Sequence, residues 1–192
     1  MRGSVLFVAG LAASLGLGWV AFPYAIYQRR PQPVDFSHKV HAEKAGQKCE
    51  DCHAFREDGS FAGVPGLDKC AGCHAAPMGA TAAEKNFIDH YVTPKREPQW
   101  LDYARQPENV WFSHATHVKT AGMKCETCHG DQGTQDGLRV YQEDRISGYS
   151  RDIWERPARL VALRRRGGMT MDDCVDCHRK NAMELSCQEC HK

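Results

Sequence analysis

The chain has 192 residues, and its 25 lysines and arginines nearly balance 24 aspartates and glutamates, leaving a formal net charge of +1. Basic residues are interspersed with acidic ones and no nucleic-acid-binding motif is present, so neither DNA nor RNA is an expected partner. What sets the composition apart is ten cysteines and ten histidines in so short a chain.

In chain order, the first element is apolar. Val5 to Tyr27 is 23 residues without a charge, long enough at about 1.5 Å of helical rise per residue to cross the hydrocarbon core of a bilayer. The stretch exceeds a secretory h-region and no AxA-like site precedes Gln28-Arg29-Arg30, so residues 1–30 are expected to form an uncleaved signal anchor, one transmembrane helix. Arg2 on one flank and Arg29 and Arg30 on the other orient it poorly. Within it Gly10, Ser14 and Gly18 recur every four residues, a small-residue stripe on which a second helix could pack.

Beyond the anchor every cysteine falls in the same five-residue pattern. CEDCH (Cys49, Cys52, His53), CAGCH (Cys70, Cys73, His74), CETCH (Cys125, Cys128, His129), CVDCH (Cys174, Cys177, His178) and CQECH (Cys187, Cys190, His191) use all ten thiols. Five CxxCH motifs are the attachment signature of five c-type haems. Two thiols three positions apart each form a thioether to one haem vinyl group, and the following histidine reaches the iron as proximal ligand. Zinc ribbons and disulfide frameworks also use paired cysteines, but neither needs a histidine directly after the second cysteine of every pair.

The remaining histidines are also five: His38, His41, His90, His114 and His117. Two axial histidines per iron would use all ten. His38 and His41, like His114 and His117, sit in an FSHxxH phrase just ahead of a motif, whereas His90 lies in NFIDHY without such context. Met123, Met169 and Met171 precede motifs closely and are the alternative ligands, which would raise the potential of a haem, or else gap-filling core residues.

The sequence repeats itself. Val34 to His53 aligns without gaps on Val110 to His129, with 12 of 20 positions identical. Two related modules, 34–92 and 110–183, each carry two motifs, and the fifth motif closes a haem domain of residues 31–192. The second module holds an extra segment, roughly Gly130 to Gly168, expected to be a functional loop. Its Arg139, Arg145, Arg151, Arg156, Arg159 and Arg164 to Arg166, with Tyr141, Tyr149 and Trp154, make it either a docking arm for a partner or haem propionates, or a solvated loop. The bridge between the modules, Asn86 to Phe112, is rich in aromatics and proline and is expected to wrap haem edges.

About 160 residues remain for five porphyrins, so most buried apolar mass has to be haem. The expected fold is mostly irregular with short α-helices around each motif, and haems this crowded should lie within tunnelling reach of one another. Each ferric haem with two ionised propionates adds about −1, which makes the assembled domain acidic and favours a basic redox partner. Because haem is attached outside the bacterial inner membrane, the domain is expected in the periplasm and the short amino terminus in the cytoplasm.

At the FSHxxH phrases the chain resembles the cytochrome c3 and c7 superfamily. That resemblance implies c3/c7-like modules in which His38 ligates the haem of Cys49 and Cys52, and His114 that of Cys125 and Cys128. His41 and His117 would reach other haems, whose identity the sequence leaves open. The anchor, both FSHxxH phrases, EDGSFAGVPGLDKCAGCH, RISGYSRDIW and GMTMDDCVDCHRK resemble a narrower family, the multihaem subunits of Qrc menaquinone reductase complexes of sulfate reducers, related to the pentahaem subunit of alternative complex III. This implies electrons accepted from periplasmic cytochrome c3 and passed to iron-sulfur and molybdopterin-family subunits and an integral membrane quinone-binding partner. It also implies a sixth haem, which without further thiols would be bound non-covalently. An electron-transfer subunit with no catalytic site of its own is the leading expectation. A quinol dehydrogenase or multihaem reductase with an open haem is the alternative.

Overall fold

A computed structural model of the chain describes residues 2–103, 106, 108–146, 169, 171–183 and 186–191. Helix α1 (Arg2–Gly16) runs into a π-helical turn (Leu17–Ala21) and then α2 (Phe22–Ile26), with right-handed helical backbone at both junctions. In the π turn the Phe22 amide reaches back to the Leu17 carbonyl. Pro23 follows at once and has no amide hydrogen to donate, so the ladder loses a bond there, and a widened turn absorbs such a break. No helix among the described residues is by itself long and apolar enough to cross a membrane. The 15 residues of α1 rise about 22 Å, less than the roughly 30 Å of a hydrocarbon core. The single helix expected over Val5 to Tyr27 is therefore corrected to two α-helices joined through a π turn, which end at Ile26 where Tyr27 opens a strand. On the small-residue stripe, the Ser14 hydroxyl donates to the Gly10 carbonyl of its own helix at 2.9 Å.

Strand β1 (Tyr27–Arg30) pairs antiparallel with β2 (Tyr141–Asp144), Tyr27 opposite Asp144 and Arg30 opposite Tyr141. Gln28 and Arg30 both donate to the Glu143 carboxylate, at 2.9 and 3.1 Å, and the Arg145 amide donates to the Ile26 carbonyl at 2.8 Å. Tyr141 is buried, with its ring edge-to-face against Tyr103. The segment from Gly130, expected to be a loop throughout, thus begins by returning to the root of the N-terminal helix. Arg151, Arg156, Arg159, Arg164 to Arg166, Tyr149 and Trp154 lie outside the described residues.

The rest is short helices joined by irregular chain, in keeping with the expected class. They are α3 (His38–Glu43), α4 (Cys49–Cys52), α5 (Leu67–His74), α6 (Ala82–Phe87), α7 (Cys125–His129), α8 (Met171–Lys180) and α9 (Cys187–Cys190). A π turn (Ile88–Val92) extends α6, and another (Ala115–Thr120) carries His117. Every CxxCH begins on or within one of the helices. This suits the chemistry, because a helical turn brings two cysteines three positions apart to one face. The small apolar core is Leu67, Phe87 and Ile88, with Val34, Cys70, Tyr91 and Val92 packed on it. Glu97 accepts the Leu67 amide at 2.9 and 3.1 Å where α5 starts, an acidic cap at the positive end of the helix. Tyr91 donates to the Pro33 carbonyl at 3.1 Å and so ties α5 and α6 to the chain leaving the N-terminal helix.

Candidate haem sites

Each FSHxxH phrase forms one capped turn. Ser37 accepts the Val40 amide on its hydroxyl at 3.2 Å, and its carbonyl accepts Nδ1–H of His41 at 2.8 Å. Ser113 does the same for Thr116 and His117, at 3.2 and 2.8 Å. Phe36 stacks on His41 at 4.4 Å and meets His38 edge-on at 4.9 Å. Phe112 repeats this on His117 and His114, at 4.8 and 4.7 Å. With the proton committed to Nδ1, the Nε2 lone pair of His41 and of His117 is free for a metal.

The two histidines of a turn face different partners, and each partner is a CxxCH histidine. Ring centroids lie 6.0 Å apart for His41 and His74, 6.3 Å for His114 and His129, and 6.1 Å for His117 and His178. His38 stands within electrostatic reach of His53. Two metal–imidazole bonds of about 2 Å, with roughly 1 Å more from each nitrogen to its ring centre, place two axial ligands about 6 Å apart, so the observed spacing fits an iron between the rings. Among the described residues no group of three or more His, Cys, Asp or Glu side chains converges on a bare ion. Three pairs of imidazoles are opposed instead, an arrangement that would suit a porphyrin, which brings four equatorial nitrogens of its own.

The proximal rings are oriented as well. His53 donates Nδ1–H to the Gly63 carbonyl at 2.8 Å, and Gly63 sits at φ 73°, a left-handed turn that suits glycine. His74 donates Nδ1–H to Glu84 at 2.9 Å, and Glu84 also accepts the Met78 and Gly79 amides at 2.7 and 2.8 Å. The Met78 amide foremost, with the Gly79 amide and His74 adding to it, holds the Glu84 carboxyl below the usual carboxylate range. A carboxylate behind a ligating histidine fixes its tautomer and makes it a stronger donor. Sequence reasoning missed Glu84, although Thr81-Ala-Ala-Glu84 is a capping-box pattern, and Thr81 does cap α6 by accepting the Glu84 amide at 3.2 Å.

Burial, reinforced by neighbouring rings, favours the neutral form of three of the imidazoles, the form a metal binds. It lowers His38, with His53 and His41 adding, His114, with His129 and His117 adding, and His129, with His53 adding. His38 Nδ1 is buried without a hydrogen-bond partner among the described residues. None of the ten cysteines is paired in a disulfide. Burial first, then a thiol of another motif, pushes up Cys49 (beside Cys125), Cys70 (beside Cys52), Cys128 (beside Cys177) and Cys174 (beside Cys128). Cysteines of different motifs therefore stand near one another, the first motif with the second and third, the third with the fourth, and the fourth with the fifth through Cys174 and Cys190.

His90 and His191 are not brought together in this way. His90 donates Nδ1–H to the Asn86 carbonyl at 3.0 Å, the same four-residue reach used by His41 and His117, and its ring is exposed. His191 is held by a backbone bridge to Val110, and the Trp111 amide donates to the Cys190 carbonyl at 2.8 Å. No ring contact to either histidine is found among the described residues. Of the methionines considered as ligands, Met171 opens α8 with its side chain exposed, and the Met123 amide donates to the His117 carbonyl at 3.0 Å.

Residues 22–99 match the class III cytochrome C family, and residues 110–192 match cytochrome c7 and related cytochrome c. Over 205 aligned positions, 99% of this chain and 90% of the relative, the chain is 36% identical to the menaquinone reductase multihaem cytochrome c subunit of Nitratidesulfovibrio vulgaris strain Hildenborough. The chain belongs to this family of multihaem c-type cytochromes. Covalently attached haem c is accordingly the cofactor of the cytochrome. The sparse apolar core then makes sense, since haem supplies the buried apolar mass that chain entropy demands.

Ring orientation leads to a spectroscopic prediction. The imidazole planes of His114 and His129 differ by 8°, those of His117 and His178 by 12°, and those of His41 and His74 by 55°. Near-parallel axial planes give rhombic low-spin ferric spectra, whereas strongly twisted planes give a more axial signal with a larger gmax. Electron paramagnetic resonance of the oxidised cytochrome is expected to contain both kinds, and His41→Met should remove a signal of the larger-gmax kind.

Proposed function

We propose that the cytochrome is a membrane-anchored periplasmic relay that carries electrons from soluble cytochrome c3 to the other subunits of a menaquinone reductase complex. The observation that carries this reading is the set of opposed imidazole pairs, His41 with His74, His114 with His129 and His117 with His178, at 6.0 to 6.3 Å. Haem c, when bound, supplies a one-electron couple at each iron. The five cysteine pairs would fix five such groups, and a second histidine at each iron would leave no open position for a substrate. His38 serves with His53, and His90 is the imidazole left for His191. Phe36 and Phe112 pack the distal rings in place, while Glu84 and the Gly63 carbonyl hold the proximal ones. Adjoining attachment points make a continuous path, and the relative's name as a menaquinone reductase subunit supports the assignment of the complex.

The anchor rests on two features. Arg2 to Ile26 is one helical run through the π turn, roughly 35 Å long, and Val5, Leu6, Phe7, Val8, Leu11, Leu15, Leu17 and Phe22 are exposed along it. An apolar surface of that kind suits lipid. Haem attachment outside the inner membrane puts the haem domain in the periplasm. The family matches, breaking between residues 99 and 110, support the division into modules 34–92 and 110–183. Iron-sulfur and molybdopterin-family subunits and an integral membrane quinone-binding subunit complete the path.

Haem content tests this directly. A pyridine haemochrome assay on the purified chain is expected to return five haems that survive acid–acetone extraction; two or three would end the relay reading. A non-covalent sixth haem would be removed by that extraction. The second reading, an enzyme with an open haem, is favoured by the absence of a ring facing His191 among the described residues. It predicts that the reduced protein binds carbon monoxide at one site, where the relay reading predicts none.

A further inference from the structure

One aromatic side chain of the first module, Phe61, packs on a histidine of the second. Phe61 ends a short hairpin in which the Gly59 amide donates to the Arg56 carbonyl at 2.9 Å and the Ala62 amide to the Ala54 carbonyl at 2.8 Å, with Phe55 and Phe61 bridged. Asp58-Gly59, with Gly59 at φ 83°, makes the turn. The Arg56 guanidinium donates to the Phe61 carbonyl at 3.0 Å and fixes the backbone from which the ring projects. That ring stacks on His114 of the second module at 4.1 Å and 29°, and lies parallel to His53 of the first module at 6.4 Å and 21°. Around it the modules are joined by Lys39 to Gln135 and Asp136, and by Lys119 over the Phe55 ring at 4.4 Å. Among the described residues Phe61 is the side chain outside the FSHxxH and CxxCH phrases whose ring stacks on histidines of both modules.

We propose that Phe61 is the positioning residue of the intermodule junction, holding the rings of His53 and His114 so that electrons cross between modules at the haems of Cys49/Cys52 and Cys125/Cys128. The proposal rests on the reading of these histidines as axial ligands. Crossing is a one-electron exchange from a ferrous to a ferric iron, with no bond made or broken and no further reactant. Phe61 acts through geometry. Its face restricts rotation of the His114 imidazole, which at 8° from His129 is the most nearly parallel pair, and its bulk spaces the two modules. Its hairpin lies directly after the first CxxCH, and the corresponding stretch after His129, Gly130 to Arg139, contains no aromatic residue. The device is thus particular to this seam.

Phe61→Leu and Phe61→Tyr, made in the full-length holoprotein, test this. The leucine variant is expected to shift the electron paramagnetic resonance signals of the Cys49/Cys52 and Cys125/Cys128 haems, and to split a single phase of reduction by a soluble donor into two. The tyrosine variant, which keeps the ring, should leave both readouts unchanged. If leucine and tyrosine behave alike, or if all haem signals shift together, Phe61 has no such role. Should the leucine variant lose haem, peptide mapping decides: loss confined to those two motifs supports the junction, and loss spread over all five opposes it. A haem deficit or high-spin iron in the unaltered protein would instead fault the ligand assignment on which the proposal rests.

Discussion

Replacing His117 by methionine is expected to raise the potential of the haem on Cys174 and Cys177 while leaving the haem on Cys125 and Cys128 where it was. His117 lies eight residues before Cys125 in sequence, so proximity along the chain would predict the opposite. Its ring nevertheless faces His178 at 6.1 Å, whereas His114, one helical turn earlier, faces His129 at 6.3 Å. A thioether ligand stabilises ferrous over ferric iron relative to imidazole. Axial ligands span about 0.8 V across haem proteins, which makes a rise on the order of 0.1 to 0.3 V a reasonable expectation for one histidine-to-methionine exchange. Potentiometric titration followed optically reads the shift, and mass mapping of the haem peptides assigns it. A shifted Cys125/Cys128 haem would mean that the cross-pairing is wrong.

Glu84→Gln is expected to raise the potential of the haem on Cys70 and Cys73. The Glu84 carboxylate receives Nδ1–H of His74 and so increases the electron donation of that imidazole, which favours ferric iron. Loss of such an outer partner costs about 10- to 100-fold in metal affinity. If that falls on the ferric state, it corresponds to roughly 60 to 120 mV at about 59 mV per tenfold for a one-electron couple. Glutamine keeps the shape, and its one carbonyl oxygen can still accept the Met78 amide, but its NH2 group cannot accept the Gly79 amide that Oε2 takes, so the loop keeps one of these two bonds. A potential unchanged within error would show that Glu84 only shapes the Met78 turn. The other haems serve as internal controls in the same titration.

How much of this could be read from sequence varied with the range of the interaction. The CxxCH motifs and FSHxxH phrases were fully legible, because attachment and capping are local: Ser37 and Ser113 act on residues three and four positions on. Which motifs His41 and His117 approach was not, since the facing of His41 with His74 and of His117 with His178 is decided by how separate turns pack. The pairing of Tyr27–Arg30 with Tyr141–Asp144 is not legible in the sequence for a related reason. Four-residue strands carry little periodic signal, and YQRR reads as the charged flank of the anchor. The break at Leu17–Ala21 had a sequence cue in Pro23, which an apolar run of 23 residues outweighed. Phe61 and Glu84 gain their roles only from what stands opposite them in space, so residue type alone could not mark them.

Near-infrared magnetic circular dichroism of the fully oxidised cytochrome addresses the central claim most directly, because the position of the low-spin charge-transfer band distinguishes two histidines from histidine with methionine. Bis-histidine bands are expected to carry the intensity of all the haems, with no high-spin feature. A spectrum dominated by histidine–methionine or high-spin bands would contradict it.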